Sequence, residues 1–405
     1  ERLNSRYISR RVALGAKAPL NVNRLVERLQ LLQSDPLVEN ITADLQAGTA
    51  PGTNTLVVSV EEADSFEVAY TLDNNRSPSV GSVRNQLRLF EGNLLGVGDR
   101  LSVGYALTSG SDGVDAAYIL PVSPRGTTVE ALVNISGSEV VEDPFDALEI
   151  DSDSDFYQLA LRHPVWQKPS GEFALGLAAS HQVAQTSLGL DDLGPLRLSA
   201  GADEQGRTRV SALRFFQEWT RRSPKQVLAV RSQFNLGLDV LDATVNEEGP
   251  DGRFFSWQGQ SQWVRVLAPD TLLLLKGNVQ LSPNSLLSLE QLNFGGQSTV
   301  RGYRQNLLST DNGALASAEV RLPLLRNPDK GRLLQIVPFV DAGYGWNVTE
   351  DDPDPLASVG FGLLFQQGRF NARVDWGIPL ISADIEDRDS FQENGLYFTL
   401  QQSFF

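Results

Sequence analysis

From Phe66 to the carboxyl terminus this sequence keeps a period of two, and that pattern limits what the chain can become more than any other feature. Phe66, Val68, Tyr70 and Leu72 alternate with Glu67, Ala69, Thr71 and Asp73. Leu228, Val230, Phe234, Leu236 and Leu238 alternate with Ala229, Arg231, Gln233, Asn235 and Gly237. Phe370, Ala372, Val374, Trp376 and Ile378 alternate with Asn371, Arg373, Asp375 and Gly377. Successive side chains of a strand point to opposite faces, so each run has one apolar and one polar surface. Strands of a soluble sandwich alternate as well. Many of these runs, however, reach about ten residues, near the span of a tilted membrane strand and above the usual soluble length. No stretch supplies the roughly 18 consecutive apolar residues of a membrane helix. A barrel needs none, because its strands alternate between lipid and lumen and their mean hydropathy stays low.

The connections discriminate better than the strands. Short turns recur at residues 122–126, 167–171, 221–225, 268–270, 327–330 and 366–368. Between them lie longer connections at 136–155, 187–206, 241–252, 282–312, 347–355 and 382–394. Strict short–long alternation is expected of an up-and-down barrel trimmed at one end and elaborated at the other. The count is about sixteen antiparallel strands, about eleven before the 282–312 loop and about five after it. Charge has the same sidedness. Glu139, Glu142, Asp143, Asp146, Glu149, Asp151, Asp153 and Asp155 share one long connection with no base, and Glu350, Asp351, Asp352 and Asp354 share another. The short turns carry Arg125, Lys168, Arg221, Arg222, Lys225 and Lys330. Asp151, Asp153 and Asp155 have the spacing that opens an EF-hand, but Phe156 stands where Gly is needed and Arg162 where the bidentate Glu belongs. A solvated acidic rim is the better reading. The last strand ends on Phe404 and Phe405, which are expected to close the barrel against the first strand. Closure satisfies edge amides that lipid cannot. Gln401 and Gln402 stand side by side in that strand and leave its register open.

Composition removes several alternatives. The net charge of -16 argues against a nucleic-acid partner, which requires clustered Lys and Arg. Cysteine is absent, so no disulfide framework or thiolate metal site is available. His163 and His181 are the only histidines, both on expected strands, where structural roles are a better reading than a metal pair. No nucleophile motif stands in a supporting context. The chain reads as a non-enzyme with no cofactor and no metal. Without an initiating Met or a secretory signal, it also reads as a mature or trimmed fragment.

Residues 1–65 carry the only helical signals. Leu3, Tyr7 and Val12 precede a break at Gly15. Asn21 can cap a second helix with Val22, Leu25, Leu29 and Leu32 on one face, stopping at Ser34-Asp35-Pro36. Strands are expected over 38–45 and 55–61, joined by a turn at 47–52. This α/β unit is small for a core of its own, so a further strand or a neighbouring domain is expected against it. The barrel then occupies 66–405.

The most unusual segment is the loop at 282–312, which holds Phe294-Gly295-Gly296 and then Val300-Arg301-Gly302-Tyr303. Beyond it runs Phe339-Val340-Asp341-Ala342-Gly343. If Leu334, Ile336, Val340 and Ala342 face lipid, Phe339, Asp341 and Gly343 face the lumen. A loop folded inward could then bring Arg301 to Asp341, where a guanidinium fork suits a carboxylate. From the residues alone, two unrelated charges is the better reading.

Resemblance changes that weighting. Val300–Tyr303 resembles the signature loop of the polypeptide-transport barrel superfamily, and Phe339–Gly343 its partner strand motif. The superfamily includes the barrel-assembly insertase (BamA) and the two-partner secretion transporters (the TpsB family). The amino-terminal unit resembles a polypeptide-transport-associated (POTRA) domain lacking its first strand, and of the two such domains usual in the family it resembles the second. Arg76-Ser-Pro-Ser-Val-Gly81, Asn93-Leu-Leu-Gly-Val-Gly-Asp99, Ala18-Pro-Leu-Asn21 and Leu29-Gln-Leu-Leu-Gln33 are similar to the two-partner secretion branch. The resemblance implies an outer-membrane transporter of a Gram-negative-type bacterium, its POTRA-like unit in the periplasm. It would secrete one large β-rich exoprotein of haemolysin, haemagglutinin or adhesin type. It also implies an Arg301–Asp341 salt bridge, contact with outer-membrane lipid and lipopolysaccharide, and function as a monomer. An insertase is the first rival and a passive diffusion porin the second.

Overall fold

The computed structural model describes residues 2–188, 198–349, 354–383 and 390–405. Two helices open the chain. In α1 (Ser5–Ala13) the Asn4 side chain accepts from the Arg6 amide, and in α2 (Val22–Gln33) Asn21 accepts from that of Arg24. These caps satisfy amides that a first helical turn leaves without partners. β1 (Val38–Ala47) and β2 (Asn54–Glu62) pair antiparallel. Val12, Leu25, Leu32 and Val38 form the core of this unit, with Leu29, Ile41, Leu56 and Val58 packed on it. Val22, expected on the same face, is instead 59% exposed, because residues 21–24 project beyond the core.

Sixteen strands then close into one barrel. The first six are β3 (Phe66–Asp73), β4 (Arg84–Glu91), β5 (Arg100–Leu107), β6 (Ser111–Pro121), β7 (Thr128–Glu139) and β8 (Ile150–Lys168). Next come β9 (Gly171–Leu188), β10 (Arg207–Ser223), β11 (Gln226–Leu238), β12 (Phe255–Ala268) and β13 (Thr271–Leu281). The loop that follows contains a short hairpin, β14 (Leu292–Phe294) with β15 (Leu308–Thr310). Five strands complete the wall: β16 (Asn312–Asn327), β17 (Arg332–Trp346), β18 (Asp354–Gln367), β19 (Phe370–Pro379) and β20 (Leu396–Phe404). Leu159, Leu161, Leu177, Phe215, Leu236, Val340, Phe361 and Trp376 are all exposed on the outer face. A water-facing surface rarely carries so continuous an apolar band. Lipid is its natural solvent.

β20 meets β3 from Thr399↔Asp73 to Phe404↔Val68. Gln402 stands opposite Tyr70 and Phe370 on the outer face, which leaves Gln401 on the lumen side, so the register runs through both glutamines without a break. Phe404 lies in that seam. Phe405 lies past the last strand and is 75% exposed, so the structure gives it no part in the pairing.

Short–long alternation is looser than the sequence suggests. Residues 92–99 are long for the trimmed end, because they receive the amino-terminal unit: the Asn4 amide donates to the Gly96 carbonyl at 2.8 Å. Residues 108–110 are short for the elaborated end, where neighbouring loops cover them; the Glu139 amide donates to Gly110 and that of Val141 to Ser79. The 136–155 connection shrinks as well. β7 runs to Glu139 and β8 starts at Ile150, so Asp151, Asp153 and Asp155 sit on a strand rather than a loop. Their spacing of two continues through Tyr157 and Leu159 on the outer face, which is strand periodicity. At 19 residues, β8 exceeds the roughly 9–11 needed to cross a bilayer, so its end stands clear of the membrane. Of the second acidic group, Glu350, Asp351 and Asp352 lie outside the described residues and Asp354 begins β18.

Candidate functional site: the inward loop

The loop between β13 and β16 turns into the lumen, and glycine makes this possible on both sides of the contact. Gly295, Gly296 and Gly302 have φ of 96°, 98° and 98°, a region that side chains disfavour. The wall beneath them is stripped of side chains. A Cβ on Gly343 would stand 2.9 Å from Phe294 and 3.0 Å from Val300, and one on Gly377 2.5 Å from the Gly302 nitrogen. The loop therefore rests on the backbone of β17 and β19. Phe294, Val300 and Tyr303 are buried there with Leu315 and Leu356.

Alternation along β17 turns Phe339, Asp341 and Gly343 inward and Val340 and Ala342 outward. Asp341 is thereby fixed on the lumen wall, and the loop delivers Arg301 to it. Arg301 Nε donates to Asp341 Oδ2 at 2.7 Å and Nη2 to Oδ1 at 2.8 Å, a two-pronged fork. The Arg301 amide adds a third bond to Oδ2 at 3.1 Å. The guanidinium carbon lies 3.4 Å above the Phe339 ring. Arg301 is 3% exposed and Asp341 1%.

Such burial is tolerable only when the whole charge set is satisfied. Three arginines (Arg301, Arg321, Arg373) meet three carboxylates (Glu319, Asp341, Asp375). Arg301 Nη1 reaches Glu319 at 3.2 Å, and Arg373 joins Glu319 at 2.9 Å to Asp375 at 2.6 Å. Gln297 of the loop donates to Asp375 at 2.9 Å. Glu319, Arg321, Arg373, Asp375 and Tyr397 are the partners that sequence reasoning missed. Their signal was parity. Arg373 and Asp375 occupy the polar face of their strand, two residues apart.

Further contacts hold the rest of the loop. The Gly302 amide donates to the Tyr397 hydroxyl at 2.9 Å, and that hydroxyl donates to the Tyr303 carbonyl at 2.5 Å. The Tyr303 hydroxyl lies 2.8 Å from the carbonyls of Ala357 and Ile381. Across the lumen Arg214 of β10 forks onto Glu290 at 2.6 and 3.0 Å. At the outer end Arg304 bridges Glu142 and Glu393 at 2.7 and 3.1 Å. The two histidines stay apart from all this: His163 bonds Thr127 at 2.8 Å and His181 bonds Ser211 at 2.9 Å.

Residues 52–365 match the family model "Haemolysin secretion/activation protein ShlB/FhaC/HecB". The outer membrane transporter CdiB of Escherichia coli O6:K15:H31 (strain 536 / UPEC) is 28% identical over 140 residues, 33% of this chain and 23% of that protein. CdiB of Dickeya dadantii (strain 3937) is 21% identical over 343 residues, 82% of this chain and 59% of that protein. The chain thus spans 23% and 59% of the lengths of these two curated relatives. The solved structure of CdiB from Escherichia coli shares the fold, with a TM-score of 0.81 at 20% identity over 99% of this chain and 74% of that one. The chain belongs to the haemolysin secretion/activation protein family ShlB/FhaC/HecB, the outer-membrane β-barrels of two-partner secretion.

Proposed function

We propose that this chain forms the pore of an outer-membrane transporter that passes a large β-rich exoprotein, unfolded, from the periplasm to the cell exterior. The observation that carries the reading is the Arg301–Asp341 fork, which fastens a loop inside a sixteen-strand lumen. A diffusion porin would leave the helical amino-terminal unit without a role. The relatives' name, outer membrane transporter, supports the same reading.

Residues 1–65 act as the POTRA-like periplasmic unit and 66–405 as the conducting barrel. The unit sits at the short-turn end, where β3 begins. Among the described residues its sheet has only two strands, leaving outer edges to which an extended chain can add. A groove of about 820 Å³ lies between α1 and β2, lined by Ile8, Val12, Leu56 and Val58, which can hold the alternate apolar side chains of such a strand. Farther on, a cavity of about 490 Å³ opens in the lumen beside the loop, between Arg231, Gln262, Lys276 and Ser317. These four side chains can offer hydrogen bonds to a passing backbone. Transport of this kind assigns no reaction to any residue and uses no nucleotide or metal. Full closure of the barrel leaves no open strand edge, so the pore works as a monomer against lipid and lipopolysaccharide.

Arg301 variants test the reading. Arg301→Ala is expected to abolish export while folded barrel remains in the outer membrane. Arg301→Lys, which keeps the charge but loses the fork, should export at an intermediate level. Undiminished export by Arg301→Ala would sink the proposal.

A further inference from the structure

The periplasmic mouth of the lumen holds a cleft of about 580 Å³ between the amino-terminal unit and the barrel wall. Six cations line it (Arg11, Arg28, Arg100, Arg162, Lys168 and Arg222) against two acids, Asp35 and Glu172. In a chain of net charge -16 this is a local reversal of sign. Both acids are already engaged. Asp35 accepts from the Tyr7 hydroxyl at 2.5 Å and the Leu37 amide at 3.1 Å. Glu172 takes Gln167 at 2.9 Å and also Arg162. Lys168 pairs with Glu27 at 3.3 Å, and Arg11 lies 3.4 Å above the Tyr7 ring. The guanidinium groups of Arg28, Arg100 and Arg222 make no hydrogen bond or ion pair among the described residues. Three guanidinium groups lining one cleft without a carboxylate partner favour an added anion there.

The position of the cleft narrows the choice of anion. Strand parity puts Arg100, Arg162, Glu172 and Arg222 on the lumen face: Tyr105, Leu161 and Trp219 of the same strands are the exposed, outward residues. The cleft thus opens onto the transport path and away from lipid. We infer that it binds a carboxylate-rich segment of the polypeptide being exported, whose side chains fit the arginine forks. This inference rests on the export reading above and adds the chemistry by which the entering chain is held at the mouth.

Peptide binding to the purified full chain in detergent tests it without requiring export, so its failure is separate from that of the Arg301 variants. The probe is a fluorescent ten-residue polyglutamate, with polyglutamine of equal length as the comparison. Polyglutamate should bind, weaken as salt rises, and lose at least about tenfold in affinity in the triple variant Arg28→Gln, Arg100→Gln, Arg222→Gln. Heat-modifiable migration of that variant checks that the barrel is folded. Equal binding of the two peptides would overturn the inference, as would full affinity in a folded triple variant. Preference of the same three arginines for phosphatidylglycerol vesicles over polyglutamate would identify a lipid headgroup site and overturn it too.

Discussion

Arg301 can sit dry inside the lumen because its N–H groups have oxygens to meet. Asp341 takes the fork, while Glu319 and Ser317 take the outer nitrogens at 3.2 and 3.3 Å. Removing one member of a buried set costs more than the set contributes when intact. Arg301→Ala leaves Asp341 without its counter-ion, at a cost of about 3–5 kcal/mol. The export test therefore has to count folded barrel. A milder residue-scale test is Gly377→Ala. The added Cβ would press on Gly302 nitrogen and Arg301 carbonyl carbon at 2.5 and 2.7 Å, backbone atoms that can move only with the loop. Loop docking should weaken by about 1–3 kcal/mol, with the barrel intact and a larger single-channel conductance in planar bilayers. Unchanged conductance would mean that the loop does not rest on β19. At this scale the sequence was partly legible: parity turns Asp341 toward the lumen, and it took the resemblance to bring Arg301 to it. They do not reach Tyr397, whose role depends on β20 closing beside β19, a contact between residues far apart in the chain.

At the scale of elements, α1 joins the rest of its unit through Tyr7. The hydroxyl donates to Asp35 beyond the end of α2, and Arg11 stacks on the ring. Burial first, and then the Asp35 charge, push the Tyr7 phenol above its ordinary value of 10.0. A raised pKa on this acid means that the folded unit favours the protonated form. Its contribution to stability is complete below pH 10 and disappears as pH climbs through the raised value. The unit should therefore loosen at strongly alkaline pH. Tyr7→Phe should remove that dependence and cost about 0.5–1.5 kcal/mol at neutral pH, both readable from amide hydrogen exchange in α1. An unaltered alkaline profile in Tyr7→Phe would contradict the assignment. Element types were legible because each strand must expose one face to lipid. Their ends were less so. The acidic stretch before Tyr157 looks like a loop by composition and is strand by hydrogen bonding, since a strand above the membrane no longer has to be apolar outside.

At the scale of the whole molecule, closure into a sixteen-strand barrel follows from long alternating runs, because an open edge cannot persist in lipid. How the interior is filled does not follow from that rule. Alternation leaves lumen-facing positions polar, but the inward fold of the 282–311 loop onto β17 and β19 depends on particular glycines, a small apolar cluster and specific charged contacts. In the proposed transporter the exported chain crosses the lumen that this loop occupies, so the loop has to shift from its seat during export. The chain has no cysteine, so one introduced pair reports cleanly. A Cβ at Gly343 would lie 3.0 Å from Val300 Cγ2, within reach of a disulfide once both are cysteine. The most direct measurement is export by the double variant Val300→Cys, Gly343→Cys, with and without reductant. The expected result is a folded barrel that exports nothing when oxidised and recovers export when reduced. Full export by the oxidised, cross-linked barrel would contradict it.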